Sequence, residues 1–425
     1  FLRLCTSPHT QASQRRTPLG SARAGLRFGH QSSGVERLAL QILASNVGLS
    51  IHFALTVVLS RLLTPDDIGV FSMSAVLIAV AHVFRDFGVT TYIKRVKTLD
   101  DATVRTARTV LLMTSGAMAL LMFASAPACA RFFNEPRVES VVRVLALGFL
   151  FIPFGAIASA ILTRETQVGK TAVATLVSSV VYFAASVWMA LNGFDHMTMA
   201  WANFINIIAH GLVSNFLLGR RFDWKPSLLG WREMTNFGLG NVLTNLMRAL
   251  NNALPDIALG RLSTPATVGL FSRANGTVTM MEKLLQPPIN YFTLPQMAKV
   301  HHAEGDVGAV YLRVSSIVQC LMFPALAWIA IVAPDLIGLL YGAQWIPAAA
   351  AVPWLCVAIG IATTFAMATP TLMGVGRPYA PMWPVASVVV AKLVAVALLF
   401  DGSLERFALA IALGEVLGIP AYLWV

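Results

Sequence analysis

Twelve apolar runs follow one another along the chain, separated by short polar stretches. A run of roughly twenty apolar residues is long enough to cross the hydrocarbon core of a bilayer as an α-helix. The pattern therefore predicts an all-α polytopic membrane protein with at least twelve transmembrane helices. The runs cover approximately residues 38–59, 68–91, 107–128, 140–162, 171–191, 199–218, 235–258, 266–289, 311–333, 347–373, 379–400 and 404–425.

The sequence repeats itself after 200 residues. The segment from Leu59 to Ser72 aligns with the segment from Leu259 to Ser272, and eight of these fourteen positions are identical. Each copy contains Thr-Pro, which fits the start of a helix with Thr as N-cap and Pro at the first helical position. Six helices separate the copies, so the two halves have the same topology.

Parallel six-helix repeats are a transporter architecture, in which the binding site lies between the halves. We expect an N-lobe over residues 36–220, with helices 1–6, and a C-lobe over residues 221–425, with helices 7–12. The two lobes are expected to form a V-shaped transporter. A duplicated structural bundle with no transport role is the alternative.

Composition agrees with a membrane location. Hydrophobic residues make up 56% of the chain and charged residues only 12%, whereas soluble domains carry about 25% charged residues. The mean hydropathy is +0.70, and so large an apolar excess must face lipid. Soluble enzymes, disordered chains and disulfide scaffolds are thereby excluded. The four cysteines are widely spaced, and we interpret them as small apolar side chains rather than metal ligands.

The basic residues between the runs predict the orientation. If the first helix starts in the cytoplasm, the even-numbered loops hold more than twice as many Lys and Arg residues as the odd-numbered loops. Cytoplasmic loops carry such an excess. We therefore predict a multi-pass protein of the inner (cytoplasmic) membrane with a cytoplasmic N-terminus. The same distribution accounts for the net charge of +11 without a nucleic-acid partner.

Both ends of the chain differ from the rest. Residues 1–35 contain five Arg residues, many Ser and Thr residues and no Asp or Glu. We interpret them as a basic, disordered N-terminal segment. It is either a stretch upstream of the true start that is translated from a misplaced start, or a segment that resembles an organellar transit peptide. Because Val425 lies inside the twelfth run, we expect a truncated C-lobe with one or two further helices beyond it.

Polar residues recur at helical spacing inside several runs. In the seventh run they fall within an arc of about 80°, and in the eighth run within about 120°. A charge at mid-bilayer costs at least about 2.5–3.5 kcal/mol, so we expect these faces to line a wet cavity. Matching but weaker faces in the first and second runs predict that helices 1, 2, 7 and 8 surround this cavity. An alternative is that Arg248 pairs with Asp256 and only joins helices.

The first repeat copy, followed by Phe84-Arg-Asp-Phe-Gly88, resembles the N-terminal signature of polysaccharide and O-antigen flippases. These form the lipopolysaccharide-biosynthesis branch of the multidrug/oligosaccharidyl-lipid/polysaccharide exporter superfamily. Pro288–Pro295 and Leu339–Ala348 also look like segments of that branch, and the resemblance covers roughly residues 35–425. It implies a flippase that moves polyprenyl-diphosphate-linked oligosaccharide across the cytoplasmic membrane. The substrate would be an O-antigen, exopolysaccharide or capsule repeat unit, with other polysaccharide assembly proteins as candidate partners.

The resemblance also implies an anion-binding cavity with arginines at the ends of the first, second and eighth helices. By motif position these are Arg61, Arg85 and Arg273, of which Arg85 and Arg273 lie outside the polar stripes. A diphosphate of about −2 requires cations, and a glycan requires amides and hydroxyls. The candidate substrate-binding residues are Arg248, Asn241, Asn245, Asn252, Lys283, His52, Arg61, Arg261, Arg85 and Arg273.

Three carboxylates are candidates for coupling transport to H⁺ or Na⁺: Asp86, Glu282 and Asp256. We expect no catalytic residue, no resident cofactor and no metal ligand. An ion-coupled multidrug exporter of the same superfamily is the first alternative, but its cavity should be mainly acidic, whereas these runs carry several Arg and Lys residues. A membrane glycan polymerase or glycosyltransferase is the second alternative. Such an enzyme would need a sizeable extramembrane segment with acid and base carboxylates.

Topology mapping tests the predicted orientation. Reporter fusions within residues 94–108 and within residues 219–233 should give cytoplasmic signals, because both loops are rich in Lys and Arg. Fusions within residues 131–137 supply the control and should give periplasmic signals. A periplasmic signal from either basic loop would contradict the orientation.

Overall fold

The protein is an all-helical bundle over the residues that its computed structural model describes, which are 34–86, 88–96, 99–219, 226–302, 305–374 and 380–424. No β-strand occurs within these ranges. The helices are α1 (Gly34–Leu62), α2 (Pro65–Asp86), α3 (Val89–Arg95), α4 (Asp101–Phe133), α5 (Arg137–Arg164), α6 (Val168–Leu191), α7 (Thr198–Leu218), α8 (Trp231–Leu262), α9 (Pro265–His302), α10 (Val307–Tyr341), α11 (Val352–Thr364), α12 (Ala368–Gly374), α13 (Met382–Leu399) and α14 (Leu404–Trp424). Two 3₁₀ helices, Asp195–Met197 and Ala343–Ala351, precede α7 and α11.

Each predicted apolar run coincides with one helix or with consecutive helical pieces. The second run is divided at Gly88, whose φ of 73° favours glycine. The tenth run comprises a 3₁₀ helix followed by α11 and α12. Within the described residues, nine helical segments are long and apolar enough to cross a membrane. The prediction of an all-α polytopic protein is therefore confirmed, whereas the count of twelve spans stays a prediction.

The Thr-Pro pairs of the repeat begin helices as expected. Pro65 and Pro265 are the first residues of α2 and α9. The Thr64 hydroxyl accepts a hydrogen bond from the backbone N–H of Asp67 at 3.2 Å, and the Asp67 carboxylate accepts one from the backbone N–H of Thr64 at 3.2 Å. This reciprocal capping satisfies two N–H groups that a helix start otherwise leaves without partners.

The two repeat copies pack directly against each other. A Cβ added at Gly69 would overlap the backbone carbonyl of Pro265, and a Cβ added at Gly269 would overlap that of Pro65. Each added Cβ would also lie 3.1 Å from the backbone nitrogen of the opposite glycine. The contact is therefore reciprocal, and α2 and α9 approach so closely only because both positions lack a side chain. The repeat found in the sequence forms the junction between the halves.

A second reciprocal contact surrounds this junction. Arg61, at the end of α1, donates from Nε to the carbonyl of Leu340 at 3.2 Å and from Nη2 to that of Leu339. Its repeat counterpart Arg261, at the end of α8, lies 5.8 Å from the ring centroid of Phe132 at the end of α4. Each arginine thus crosses to the C-terminal end of a helix in the other half, where the helix dipole is negative. We name residues 59–69, 132–134, 259–269 and 339–345 together the closed end.

Most helix packing takes place within the two sets α1–α7 and α8–α14. Between the sets, α2 packs against α9 and α8, and smaller contacts join α8 to α3 and α4, and α1 to α10 and α9. The predicted lobe boundary between residues 220 and 221 lies outside the described residues and stays a prediction. Residues 1–33 of the predicted basic segment also lie outside them.

Substitution of the junction glycines should destabilise the protein. We expect Gly69→Ala and Gly269→Ala each to lower the free energy of unfolding by at least about 1–3 kcal/mol, the usual cost of overpacking, because the added methyl group meets backbone. Thermal unfolding of the purified protein measures the change. Gly116→Ala is the control, since a Cβ at that helical glycine meets nothing within 4 Å. A wild-type melting temperature for Gly69→Ala would contradict the close approach.

Candidate functional site

A cavity of about 490 Å³ lies between the two halves, next to the closed end. Most of its lining comes from α1 of the first half and α9 of the second, and α6, α7 and α10 contribute one residue each. Its polar lining residues are His52, Thr56, Tyr182, Ser272, Arg273, Asn275, Thr279, Lys283 and Tyr341. We name this space the central cavity.

The central cavity is electropositive. Arg273 and Lys283 line it from α9, and His52 lines it from α1. The centroid of the His52 ring lies 5.7 Å from the centroid of the Tyr182 ring. Among the described residues that line the cavity there is no Asp or Glu. Cations together with amide and hydroxyl groups suit a ligand that combines negative charge with hydrogen-bonding groups.

Arg273 is the most constrained cation of this lining. It is only 8% exposed, and within the described part of the chain its Nε and Nη2 atoms have no hydrogen-bond partner. Its guanidinium carbon lies 5.6 Å from the ring centroid of Trp345, within the range of a cation–π contact. A buried cation without acceptors is costly, and the oxygens of an anion are the groups that would satisfy the guanidinium fork.

Two hydroxyl groups hold the neighbourhood of Arg273 in place. The hydroxyls of Thr277 and Tyr341 lie 2.9 Å apart in hydrogen-bond contact, and the Thr277 hydroxyl donates to the carbonyl of Arg273 at 2.8 Å. Tyr341 is the last residue of α10, so these bonds tie α9 to the end of α10. The backbone that carries Arg273 is thereby fixed beside the cavity.

The predicted site residues do not all lie in one place. His52, Lys283 and Arg273 come together in the central cavity. Arg61 and Arg261 lie at the closed end instead, where the ends of helices attract them. Arg85 is in the last turn of α2, where its backbone carbonyl accepts a hydrogen bond from Thr114 of α4. The side chains of Asn241 and Asp86 lie outside the part of the chain that the structure describes.

The polar face of α8 stands apart from the central cavity. Asn245, Arg248 and Asn252 are exposed, and none of them belongs to the lining that the structure describes. Arg248 lies within electrostatic range of Tyr422 of α14. Eight residues separate it from Asp256, about 12 Å along a helix axis, which is too far for the direct ion pair considered above.

The four helices expected to surround the cavity, numbered 1, 2, 7 and 8 among the apolar runs, correspond to α1, α2, α8 and α9. Among the described residues, α1 and α9 line the cavity, whereas α2 and α8 contribute no lining residue. The reason lies in the junction, because α2 uses its small residues to pack against α9. Tyr182, Tyr341 and Trp345 were not predicted, since aromatic residues in apolar runs look like ordinary packing residues. The resemblance had marked the segment that holds Tyr341 and Trp345, but not their contacts.

A buried ion pair lies in the second half. Lys392 of α13 and Glu415 of α14 are 2.6 Å apart, with side chains 6% and 9% exposed, and Lys392 also donates to Asn251 of α8 at 3.0 Å. Glu282 of α9 is within electrostatic range of Glu415. Glu282 and Asp256 are partly buried and outside the described lining of the central cavity. Their coupling role stays a prediction.

Comparison with known proteins identifies relatives over most of the chain. The family model of a polysaccharide biosynthesis protein matches residues 58–350. The lipopolysaccharide biosynthesis protein WzxC of Escherichia coli (strain K12) is 22% identical over 306 residues, which are 71% of this chain and 61% of the relative. The succinoglycan biosynthesis transport protein ExoT of Rhizobium meliloti (strain 1021) is 21% identical over 387 residues, 90% of this chain and 78% of the relative. The chain thus spans less than two thirds of the length of WzxC.

Solved structures share the fold. The inward-facing conformation of a multidrug resistance MATE family transporter of the MOP superfamily superposes with a TM-score of 0.71 at 17% identity, covering 92% of this chain and 96% of the other. The lipid II flippase MurJ in its inward closed conformation superposes with a TM-score of 0.68 at 8% identity, covering 92% and 87%. At such low identity these similarities establish the fold alone.

Breaking the buried ion pair should destabilise the protein. We expect Glu415→Gln to lower the free energy of unfolding by about 3–5 kcal/mol, because it leaves the buried Lys392 cation uncompensated. The double variant Lys392→Met, Glu415→Leu should recover most of that loss.

Thermal and chemical unfolding measure both variants. The exposed pair Arg406–Asp401, at 3.1 Å, is the matched control, and Asp401→Asn should change stability by less than about 1 kcal/mol. Equal effects of Glu415→Gln and Asp401→Asn would contradict the burial argument.

Proposed function

The chain belongs to the polysaccharide biosynthesis protein family, and from this membership and its central cavity we propose that it is a flippase. Its substrate is a polyprenyl-diphosphate-linked oligosaccharide, such as an O-antigen, exopolysaccharide or capsule repeat unit. The observation that carries the proposal is the buried Arg273, which faces a cavity between the halves without a hydrogen-bond partner at Nε and Nη2 among the described residues.

The chemistry of the cavity matches the parts of such a substrate. The diphosphate, with a charge of about −2, accepts charge-assisted hydrogen bonds from Arg273 and electrostatic attraction from Lys283. The sugar hydroxyls find partners in Asn275, Thr279 and the tyrosine hydroxyls of the lining. The polyprenyl chain stays in the lipid bilayer, which is the second partner of the protein.

Orientation gives the proposal a direction. With the N-terminus in the cytoplasm, the closed end faces the outside, and the central cavity takes its substrate from the cytoplasmic leaflet. Movement of two negative charges outward is favoured by an inside-negative potential, by about 4.6 kcal/mol at 100 mV. Transport then requires the closed end to open and the opposite end to close, as in alternating access between two repeats.

Energy coupling and further partners follow from the same proposal. Asp86, Glu282 and Asp256 are the candidates for H⁺ or Na⁺ coupling, and other polysaccharide assembly proteins are candidate partners. We propose transport rather than catalysis, since the lining residues that the structure describes offer cations, an amide and hydroxyls instead of the carboxylate pair that glycosyl transfer to water requires.

The multidrug-exporter alternative shares the fold but fits the cavity less well. A cationic drug needs carboxylates for its positive charge, and the described lining presents Arg273, Lys283 and His52 instead. An anionic, lipid-linked substrate is therefore the better match.

Removal of the Arg273 cation tests the function. We expect Arg273→Gln to reduce glycan export at least about tenfold, because charge-assisted hydrogen bonds are worth about 1.5–3 kcal/mol. Arg273→Lys should keep partial activity, since it keeps the charge but loses the fork. The measurement is surface glycan in a complementation assay, with the protein level in the membrane determined alongside.

Two further variants complete this experiment. Arg406→Gln is the matched control at an exposed arginine outside the described lining of the cavity, and it should export normally. Arg248→Gln tests the predicted cation on α8, for which we expect a partial loss. Wild-type export by Arg273→Gln at normal protein level would overturn the proposed function.

A further inference from the structure

Trp345 connects the central cavity to the closed end. Its side chain is fully buried, and its indole Nε1 donates a hydrogen bond to the backbone carbonyl of Ser60 at 2.6 Å. Trp345 belongs to the 3₁₀ helix after α10, in the second half, whereas Ser60 is near the end of α1, in the first half. This hydrogen bond therefore holds the two halves together.

The neighbouring side chain strengthens the same contact. Gln344 donates from Nε2 to the carbonyls of Ser60 at 3.0 Å and Leu63 at 3.2 Å. The last carbonyls of a helix have no partner within that helix. Two side chains of the second half thus cap the end of α1, and α1 cannot move away from α10 without breaking these bonds.

The other side of the indole faces the site. Arg273 places its guanidinium 5.6 Å from the centroid of the Trp345 ring and lines the central cavity at the same time. A continuous series of contacts thus runs from the cavity through Arg273 and Trp345 to the Ser60 carbonyl. A cation over the ring draws electron density from the indole and makes its N–H a stronger donor, as polarised hydrogen-bond chains do.

The repeat shows that packing alone does not require this polar series. In the corresponding contact of the other repeat copy, Met73 replaces Arg273 and Gly260 replaces Ser60, and the Phe133 ring and Met73 both lie against Gly260. A Cβ at Gly260 would lie 2.9 Å from Phe133 and 3.1 Å from Met73. One repeat copy therefore forms this contact with apolar groups, whereas the other forms it with a cation, an N–H donor and a carbonyl.

We infer that Trp345 couples the binding of an anion at Arg273 to the opening of the closed end. The inference rests on the proposed function, in which the anion is the diphosphate of the substrate. Oxygens of a bound diphosphate neutralise the guanidinium and draw it from the ring, so both the cation–π contact and the hydrogen bond to Ser60 weaken. By linkage, the open state binds the anion more tightly than the closed state.

A distance measurement across the closed end tests the coupling. Leu62 and Leu262 are 40% and 55% exposed, one in each half, and Leu62→Cys with Leu262→Cys supplies a spin-label pair after the native cysteines are replaced. The full chain is measured in lipid nanodiscs with and without inorganic pyrophosphate. Pyrophosphate should raise the ratio of long to short distances about two- to twelvefold, the equivalent of one hydrogen bond between neutral groups, because the Trp345–Ser60 bond is the contact that joins the halves.

Single substitutions separate the contacts. Trp345→Phe keeps a ring under Arg273 but removes the N–H donor, so long distances should already prevail without pyrophosphate, and pyrophosphate should change them little. Gln344→Leu removes the second donor and should shift the distances in the same direction by a smaller factor. Trp328→Phe, at a tryptophan that is 57% exposed on α10, is the matched control and should respond as the wild type does.

Binding and coupling have separate readouts. Pyrophosphate binding is measured by calorimetry on the wild type and on Arg273→Gln, and absence of binding to the wild type would count against the proposed anion site itself. Arg273-dependent binding without any change of distance would refute only the coupling. A wild-type distance distribution and response in Trp345→Phe would also overturn it, and if that variant does not fold, the same result in Gln344→Leu is decisive.

Discussion

The close approach of α2 and α9 is the constraint on which the rest of the structure depends. Because Gly69 and Gly269 carry no side chain, the backbone of each helix reaches the first turn of the other. This contact fixes where the two halves meet and brings the ends of α1 and α10 together beside it. The central cavity lies directly beside this contact, along the C-terminal half of α1 and the N-terminal half of α9.

The fold was predictable from sequence because the signals that encode it either lie within one short segment or are identical residues in two segments. Apolar runs of membrane-spanning length predicted the helices, and Thr64 with Pro65 and Thr264 with Pro265 predicted the start of α2 and α9. The identical residues 200 positions apart predicted a duplicated architecture. Helical periodicity marked His52 and Lys283 as residues of polar helix faces, and both line the central cavity.

The remainder of the site depends on contacts between distant segments, which periodicity does not contain. Arg273 lies outside the polar stripes, yet it lines the cavity together with Tyr341, and its guanidinium lies over the ring of Trp345 from another segment. Arg61 was predicted to meet substrate, yet the carbonyls of α10 bind it at the closed end. The polar stripe on α8 is exposed but lies outside the described lining of the cavity. Helical periodicity shows that one face of a helix is polar, but it does not show which neighbouring space that face borders.

The reciprocal glycine contact has the geometry of a two-fold homodimer interface, in which residue i of one subunit meets residue j of the other and j meets i. Here both sides are encoded in one polypeptide. A true homodimer would have to place an arginine on both sides of its axis or on neither, whereas a fused duplication can carry Met73 on one side and Arg273 on the other. Fusion thus lets a nearly symmetric scaffold carry this arginine on one side only, whereas the symmetry of a homodimer would duplicate it.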